Sequence, residues 1–250
     1  MSRPASPIRA VAAMTAMELR LVLRRGENLF ATIVIPAVVL VLFSAIAILP
    51  TGSRPVDFLL PGSIALGIVA TSLVSLGITT AYDRSYGVLK RLGGSPLSRA
   101  ELVVARLLTV LVVEAVQIAL LVGTATIALG WHAGSGGSPI LHLVAVLLGT
   151  ATFAGVGLLL AGTLRAETVL ALANVLFLGV LVVGGVIVPI DRLPGPLAAI
   201  AGALPAAPLA DLLRAALGSA PGADLVNPLT LVAAWAVAAL SLAAARFRWE

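Results

Sequence analysis

The sequence predicts an all-α membrane protein with six transmembrane helices. Of its residues, 60% are hydrophobic and only 11% are charged, and apolar stretches about as long as a bilayer crossing recur along the chain. A helix rises about 1.5 Å per residue, so about 20 apolar residues cross a hydrocarbon core of ~30 Å. A membrane barrel would instead show alternating segments of roughly 10 residues. Helices are therefore expected, because their backbone groups are satisfied within each segment.

The elements follow in chain order. Residues 1–28 are expected to form an amphipathic helix on the membrane surface, and residues 29–250 the transmembrane domain. Within the first segment, the apolar side would carry Val11, Met14, Met17, Leu21 and Val22, and the polar side Glu18, Arg20, Arg24 and Arg25. An alternative is a basic anchor that only sets topology. The predicted spans are residues 29–49, 59–81, 102–129, 140–164, 169–189 and 225–245.

The distribution of basic residues predicts the orientation. Twelve of the sixteen Lys and Arg residues fall in the two terminal segments and the second and fourth connections, and a thirteenth, Arg106, lies just inside the third span on the same side. Only Arg54, Arg192 and Arg214 fall on the opposite side. Basic loops stay cytoplasmic, so both termini are expected in the cytoplasm. The net charge of +5 is explained by this bias beside the spans. Nucleic acid is therefore not an expected partner.

The connection after the fifth span is long, proline-rich and still apolar. Its prolines divide it into two segments, 197–204 and 209–217, each too short to cross a bilayer. A broken apolar hairpin of this kind can enter the outer leaflet where protein shelters its free backbone groups. The sequence therefore predicts a re-entrant helical hairpin after span five.

Few residues are available for catalysis or metal binding. Lys90 is the only lysine and Arg91 follows it, so a Gly-x-x-x-x-Gly-Lys-Ser/Thr phosphate loop does not occur. The chain has no cysteine, and His132 and His142 lack nearby carboxylates that would complete a metal site. No catalytic residue, metal site or bound cofactor is expected. An ATP-driven role would therefore require a separate ATPase subunit.

Three polar residues are predicted at membrane depth. Glu114 and Gln117 share one stripe of the third span with Arg106, because residues three and four apart lie on the same helix face. Glu114 has two interpretations: a contact for a substrate cation or polar relay, and an interhelical hydrogen bond or ion pair, which is the usual outcome for a buried charge. Asn174 in the fifth span is open to the same two interpretations.

The second connection carries the most specific pattern. Its sequence predicts a short helix with Val88, Leu89 and Leu92 on one side. Gly93-Gly94 and Pro96 would end this helix. Such a compact projection at the cytoplasmic side could dock into the groove of a partner protein.

Residues 84–98 resemble the loop between spans two and three of ABC-2 type exporter permeases. The shared pattern is a charged residue, a glycine, a hydrophobic pair, another charged residue and then Ser-Pro-Leu-Ser. Two more stretches fit the family in order. The first is residues 58–62, interpreted as the end of the first external turn. The second is residues 184–189, which are followed by Leu-Pro at 193–194, Leu-Pro at 204–205 and Leu-Arg at 213–214. The resemblance covers nearly the whole chain.

The resemblance implies roles for these segments. The surface helix and the loop of residues 84–92 would contact an ABC ATPase subunit, which would bind ATP and magnesium, and the hairpin would form an extracellular cap. The implied contact residues are Arg24, Arg25, Arg84, Gly87, Val88, Leu89, Lys90, Arg91 and Leu92. The implied cap residues are Pro189, Leu193, Pro194, Pro205 and Arg214.

The resemblance also implies a path between two copies of the chain, lined by spans one, two and five. Apolar lining residues would include Phe30, Ile35, Leu66 and Phe177, which suits a hydrophobic or amphipathic cargo. The pattern is closest to the drug and antibiotic-resistance branch similar to daunorubicin-type exporters, in a bacterial plasma membrane. Two other functions remain open: a scaffold or sensor subunit that does not transport, and an ion-coupled secondary transporter using Glu114.

Overall fold

The computed structural model describes residues 6–24, 26–46, 54–93, 98–220 and 222–247, and it gives the backbone alone at residues 26–31, 93 and 99. Over these ranges the chain is helical and contains no strand. Its α-helices, in chain order, are α1 Pro7–Arg24, α2 Gly26–Ile46, α3 Pro55–Ile68, α4 Leu76–Ser85, α5 Val88–Gly93, α6 Arg99–Leu129, α7 Pro139–Thr163, α8 Ala166–Val183, α9 Gly195–Ala203, α10 Ala206–Ala216 and α11 Val226–Arg246.

Helices α3 and α4 belong to one continuous rod. The π-helical segment Val69–Ser75 joins them, so the helix runs without interruption over the 31 residues Pro55–Ser85. The rod has the largest share of buried residues among the long apolar helices, whereas few residues of α8 and α11 are buried. A π-helical turn inside an α-helix often occurs at a functional site. The rod therefore forms the centre of the bundle, and both of its ends contact other elements.

Local sequence fixes the ends of α6. Ser98 precedes the helix and forms a capping box, in which its side chain accepts a hydrogen bond from the Glu101 backbone and the Glu101 side chain accepts one from the Ser98 backbone. At the other end Gly130 adopts a left-handed conformation with φ 62° and stops the helix. The helix is therefore 31 residues long.

Helices α7 and α11 pack closely because α7 carries small residues. A Cβ atom at Gly155 would stand 2.8 Å from the Cβ of Ala239 and from the backbone nitrogen of Leu240. Helices in membranes associate through such small residues, since backbones can then approach and gain van der Waals contact. This pair holds the C-terminal helix against the bundle.

Five of the described helices are long and apolar enough to cross a membrane: the rod, α6, α7, α8 and α11. Helices α9 and α10 together would make a sixth, although they bend by 73° at the break between them. The apolar stretch Thr32–Ile46 of α2 is shorter, and residues 47–49 of the predicted first span lie outside the described residues. The chain is thus a multi-pass membrane protein with five or six candidate membrane helices.

Two expected boundaries need correction. Helix α8 ends at Val183 and not at Pro189, because Gly184 and Gly185 follow and Gly185 has a φ of 67° that a continuing helix does not permit. Residues 58–62 lie inside α3 and do not form a turn. Pro55 at the first turn starts this helix, and Pro61 is accommodated within it.

Candidate functional site

Arg106 lies at the centre of a buried charge cluster at one end of the bundle. Its Nη2 atom donates to Oδ2 of Asp83 at 2.5 Å, and its Nη1 atom donates to the Thr80 hydroxyl at 2.6 Å. The carboxylate of Glu18 lies 3.3 Å from Nε. The arginine side chain is only 4% exposed. We call this group, Arg106 with Glu18, Thr80 and Asp83, the Arg106 junction; it joins α1, α4 and α6.

The junction corrects the predicted orientation of α1. Glu18 was expected on the outer polar side, but it faces the bundle, and Met17 and Leu21 are exposed instead of buried. The inward side carries Val11, Met14 and Glu18, which are three and four residues apart. In this direction Glu18 adds a second carboxylate to the buried guanidinium, which already pairs with Asp83.

The residues expected to contact an ATPase lie together at this end. Leu89 of α5 packs with Met14 of α1 and with Leu102 and Ala105 of α6 in one apolar cluster. Leu92 and Phe247 lie at the edge of this cluster, and Val88 is half-buried. The structure thus packs the two predicted contact segments, α1 and α5, into a single unit.

The charged residues of this region are divided between surface and interior. Arg24, Lys90 and Arg91 are exposed, whereas Arg84 donates a hydrogen bond to the Leu164 carbonyl at the end of α7. Gly87 has a φ of 70°, which lets the chain turn between α4 and α5. Arg25 lies outside the described residues. Arg9 and Arg20 of α1 are exposed as well, so both α1 and α5 contribute exposed positive charge to this unit.

Glu114 lies in the middle of α6 and is completely buried. The Ser72 hydroxyl donates to its Oε1 atom at 2.6 Å, and the Thr150 hydroxyl lies 2.5 Å from Oε2. These contacts link α6 to the π-helical segment and to α7. In the described part of the chain no Lys or Arg side chain forms an ion pair with Glu114. The geometry is that of an interhelical hydrogen-bond network.

Gln117 extends this network toward α2. Its Nε2 atom donates to the Thr32 carbonyl at 2.6 Å, and its Oε1 atom accepts from the Thr71 hydroxyl at 3.3 Å. Gly67 leaves the room that the amide needs, since a Cβ atom there would come within 2.7 Å of it. Gln117 and Glu114 thus share an inward stripe, as their spacing predicted, and the π-helical segment supplies a hydroxyl to each.

The residues expected to line a path between two copies are not all at the surface. Leu66 and Phe177 are buried within this chain and do not face outward in this conformation, so their role as path-lining residues stays a prediction. Ile35 and Asn174 are exposed. The Asn174 amide donates to the Leu170 carbonyl one turn earlier. The side chain of Phe30 lies outside the described residues.

Arg214 of α10 anchors the opposite end of the rod. Its Nη2 atom donates to the Gly185 carbonyl at 2.6 Å, its Nη1 atom donates to Asp211 at 2.6 Å, and its guanidinium lies 3.8 Å from the centre of the Phe58 ring. We call this group, Arg214 with Phe58, Gly185 and Asp211, the Arg214 junction. It joins α3, the turn after α8, and α10.

Gly62 explains why the turn after α8 lies against α3. A Cβ atom at Gly62 would stand 2.1 Å from the Val186 carbonyl oxygen, so only glycine permits this contact. Val186 and Ile187 are buried there. The two stretches that carried the resemblance, residues 58–62 and 184–189, are therefore neighbours in the fold.

The expected cap residues lie in the segment from the end of the turn after α8 to α10. Pro189 precedes the short 3-10 helix Ile190–Arg192, and Leu193 and Pro194 connect that helix to α9. Pro205 marks the bend between α9 and α10. The loop after α6 holds the end of α10, because the backbone nitrogens of Gly134 and Ser138 donate to the carbonyls of Leu217 and Ala216.

A cavity opens beside the Arg106 junction. Its volume is about 780 Å³ when the part open to the outside is included, and its walls come from α1, α2, the π-helical segment, α4 and α6. The cavity extends from Asp83 and Arg106 to Thr71 and Val113, next to the buried polar network. Over the described ranges, no group of three His, Cys, Asp or Glu side chains could hold a metal ion.

Most partners of the buried polar residues were not predicted from the sequence. Glu18, Thr80 and Asp83 were not connected with Arg106, and Ser72 and Thr150 were not connected with Glu114. The available signal was the stripe of Arg106, Glu114 and Gln117, since buried polar groups in membranes require partners. Helix packing determines which hydroxyl groups act as these partners.

The helical bundle, the buried polar contacts and the apolar helices define a multi-pass membrane protein. A profile of the ABC-2 type transporter family matches residues 9–217, from α1 to the turn after α10. The match covers most of the chain, so the chain belongs to the ABC-2 type transporter family. Its membrane domains are transport components that typically work with an ATPase partner. No curated protein matches the sequence significantly.

Proposed function

We propose that the chain is the membrane subunit of an ATP-driven exporter that moves a hydrophobic or amphipathic compound out across a bacterial plasma membrane. The main support is the packing of α1 and α5 into one unit that the Arg106 junction fixes to the bundle. A movement imposed on this unit would reach the rod directly, because Thr80 and Asp83 belong to the rod.

This unit is proposed as the contact surface for the ATPase, which binds the ATP and magnesium. Arg24, Lys90 and Arg91 supply exposed positive charge, while Leu89 is buried beneath and holds α5 in place. The basic residues concentrate at this end, which supports a cytoplasmic location for it and for both termini under the positive-inside rule.

A second copy of the chain, or a homologous permease, is proposed to cover α8. Asn174 lies midway along this helix and is exposed, although a polar side chain facing lipid at this depth would be costly. The neighbouring Val175, Leu178 and Val182 are also exposed. A protein partner or a passage for cargo on this face would remove the cost.

The proposed cargo follows from the apolar composition of the exposed faces, and the sequence resembles the drug and antibiotic-resistance branch similar to daunorubicin-type exporters. Export would pass between the two copies. The hairpin of α9 and α10 would then cap the external side, anchored by Arg214. Ion-coupled transport through Glu114 has less support, because its carboxylate is enclosed by hydroxyls of neighbouring helices.

Photocrosslinking in native membranes tests the ATPase contact. A photoreactive amino acid should replace Lys90, which is exposed, and in a separate control Asp191, which is exposed at the other end of the bundle. We expect an ATP-binding protein to be captured from position 90 and not from position 191. Equal capture from both positions, or none from position 90, would contradict the proposed contact.

Charge reversal provides the matched functional test. Lys90→Glu with Arg91→Glu should reduce ATPase association at least tenfold, because the surface charge that faces the partner is inverted. The control is Arg165→Glu, which changes an exposed arginine at the same end of the bundle but outside α5. Both variants should insert normally. If the ATPase associates with the chain but reconstituted vesicles export no cargo, the result would favour a scaffold or sensor role for this subunit.

A further inference from the structure

The cavity beside the Arg106 junction has two chemically different walls. Ser75, Thr79 and Thr109 contribute hydroxyl groups, and Leu76, Val110 and Val113 contribute apolar surface. The cavity is open to the outside, so a small molecule can reach both walls. These walls fit a ligand that has both a polar and a hydrocarbon part.

The charged end of the cavity presents an acceptor. The Asp83 side chain is 18% exposed, whereas the Arg106 side chain is 4% exposed. Both terminal nitrogens of Arg106 already donate, one to Thr80 and one to Asp83. At this end of the cavity the carboxylates of Asp83 and Glu18 are therefore more accessible than the guanidinium.

Asp83 has one oxygen left for a ligand. Arg106 contacts its Oδ2 atom, and no donor within the described ranges contacts Oδ1. A carboxylate that is largely buried favours a donor that carries charge, because charge-assisted hydrogen bonds are the stronger ones. A protonated amine meets this requirement.

We propose that this cavity binds a protonated amine that carries a hydrocarbon group, with its ammonium against Asp83 and its hydrocarbon against Leu76, Val110 and Val113. Binding of such a molecule is argued from these residues and needs no transport activity. A further role for the cavity as an entry site for exported cargo rests on the proposed function. The site lies within one copy of the chain, between α1 and the bundle. It is therefore separate from a path between two copies.

Matched photoreactive probes test this site. The purified chain, in nanodiscs of phosphatidylcholine, is exposed to an aliphatic amine that carries a diazirine, and separately to the alcohol of the same chain length. Labelled peptides are then identified by mass spectrometry. We expect the amine to label α4 and the first half of α6. The alcohol should label these peptides at least tenfold less, since it lacks the charge.

Two substitutions distinguish the effect of the Asp83 charge on binding from the effect of the cavity volume. Asp83→Asn should lower labelling by the amine about tenfold and leave labelling by the alcohol unchanged. Thr79→Leu fills the cavity without touching a partner of Arg106, so it should lower labelling by the amine and remain informative if Asp83→Asn does not fold. Asp191→Asn, at an exposed aspartate near the other end, is the control and should change nothing.

The source of the amine is tested by adding phosphatidylethanolamine to the nanodiscs, because its headgroup is also an ammonium on a hydrocarbon. Competition by this lipid would identify the ligand as a membrane lipid; persistence of labelling would identify a free amphipathic amine. Equal labelling of wild-type chain and the Thr79→Leu variant, or labelling confined to α8 and α11, would overturn the proposal. The assay contains no ATPase, so its failure leaves the proposed function standing, and failed ATPase capture leaves this site standing.

Discussion

Arg106 and Arg214 are both buried arginines that hold an end of the same rod, yet their surroundings differ. Arg106 contacts Glu18, Thr80 and Asp83, which lie on two other helices far away in sequence. Arg214 takes its carboxylate from Asp211, three residues earlier on its own helix. Its longer-range contacts are a carbonyl group and an aromatic ring.

The two arginines differ in how far the carboxylate that pairs with each of them is exposed to solvent. The Asp83 side chain is 18% exposed and that of Asp211 is 51% exposed. A charge pair in water contributes little, whereas removing one member of a buried pair leaves an uncompensated charge. The Arg106 junction is therefore expected to depend on its ion pairs, and the Arg214 junction on its contacts with the backbone and Phe58.

The largest effect is expected from Asp83→Ala. Removing the closest carboxylate of Arg106 should lower the free energy of unfolding by about 3–5 kcal/mol, because the guanidinium stays buried. Unfolding in mixed detergent micelles measures this change. Adding Arg106→Met should restore part of the loss. A single variant as stable as the wild type would show that the junction does not depend on this pair.

A smaller but clear effect is expected from Gly62→Ala near the other junction. The new Cβ atom would meet the Val186 carbonyl oxygen, so the turn after α8 must shift, at a cost of about 1–3 kcal/mol. Gly123→Ala in α6 is the matched control, because no atom lies within 4 Å of a Cβ there. The same unfolding assay should show no loss for this control. Equal stabilities of the two variants would contradict the close contact.

The smallest effect is expected from Asp211→Asn. Its half-exposed carboxylate should contribute no more than about 1 kcal/mol to the free energy of unfolding. Raising the salt concentration should reduce even this difference, since exposed charges are screened. A loss as large as that of Asp83→Ala would remove the distinction between the two junctions.

Much of the fold could be predicted from the sequence, because apolar length determines membrane helices almost directly. Helices α6 and α7 match their predicted spans closely for this reason. The end of α8 could not be placed correctly, since the residues after Val183 are as apolar as those before it and only the two glycines mark the turn. Residues 58–62 were interpreted as the end of an external turn, although α3 begins at Pro55 and accommodates Pro61.

The buried polar contacts were predictable only in part. The spacing of Glu114 and Gln117 placed both on an inward face, and the structure confirms that they are buried. Glu18 was assigned to the wrong side of α1, because charge alone predicts a solvated position and not a pairing with Arg106. Ser72 and Thr150 become partners of Glu114 because of how the π-helical segment and α7 pack against α6. The residue pattern of a single helix does not contain this information.

The continuous rod Pro55–Ser85 has a mechanical consequence. At about 1.5 Å per residue it is roughly 45 Å long, more than the ~30 Å hydrocarbon core. Phe58 near its first turn touches Arg214, and Thr80 and Asp83 near its last turn touch Arg106. With the proposed ATPase contact at α1 and α5, a tilt of the rod as a rigid body would displace the hairpin at its other end. The enclosed contacts of Glu114 and Gln117 with the rod lie between these two ends.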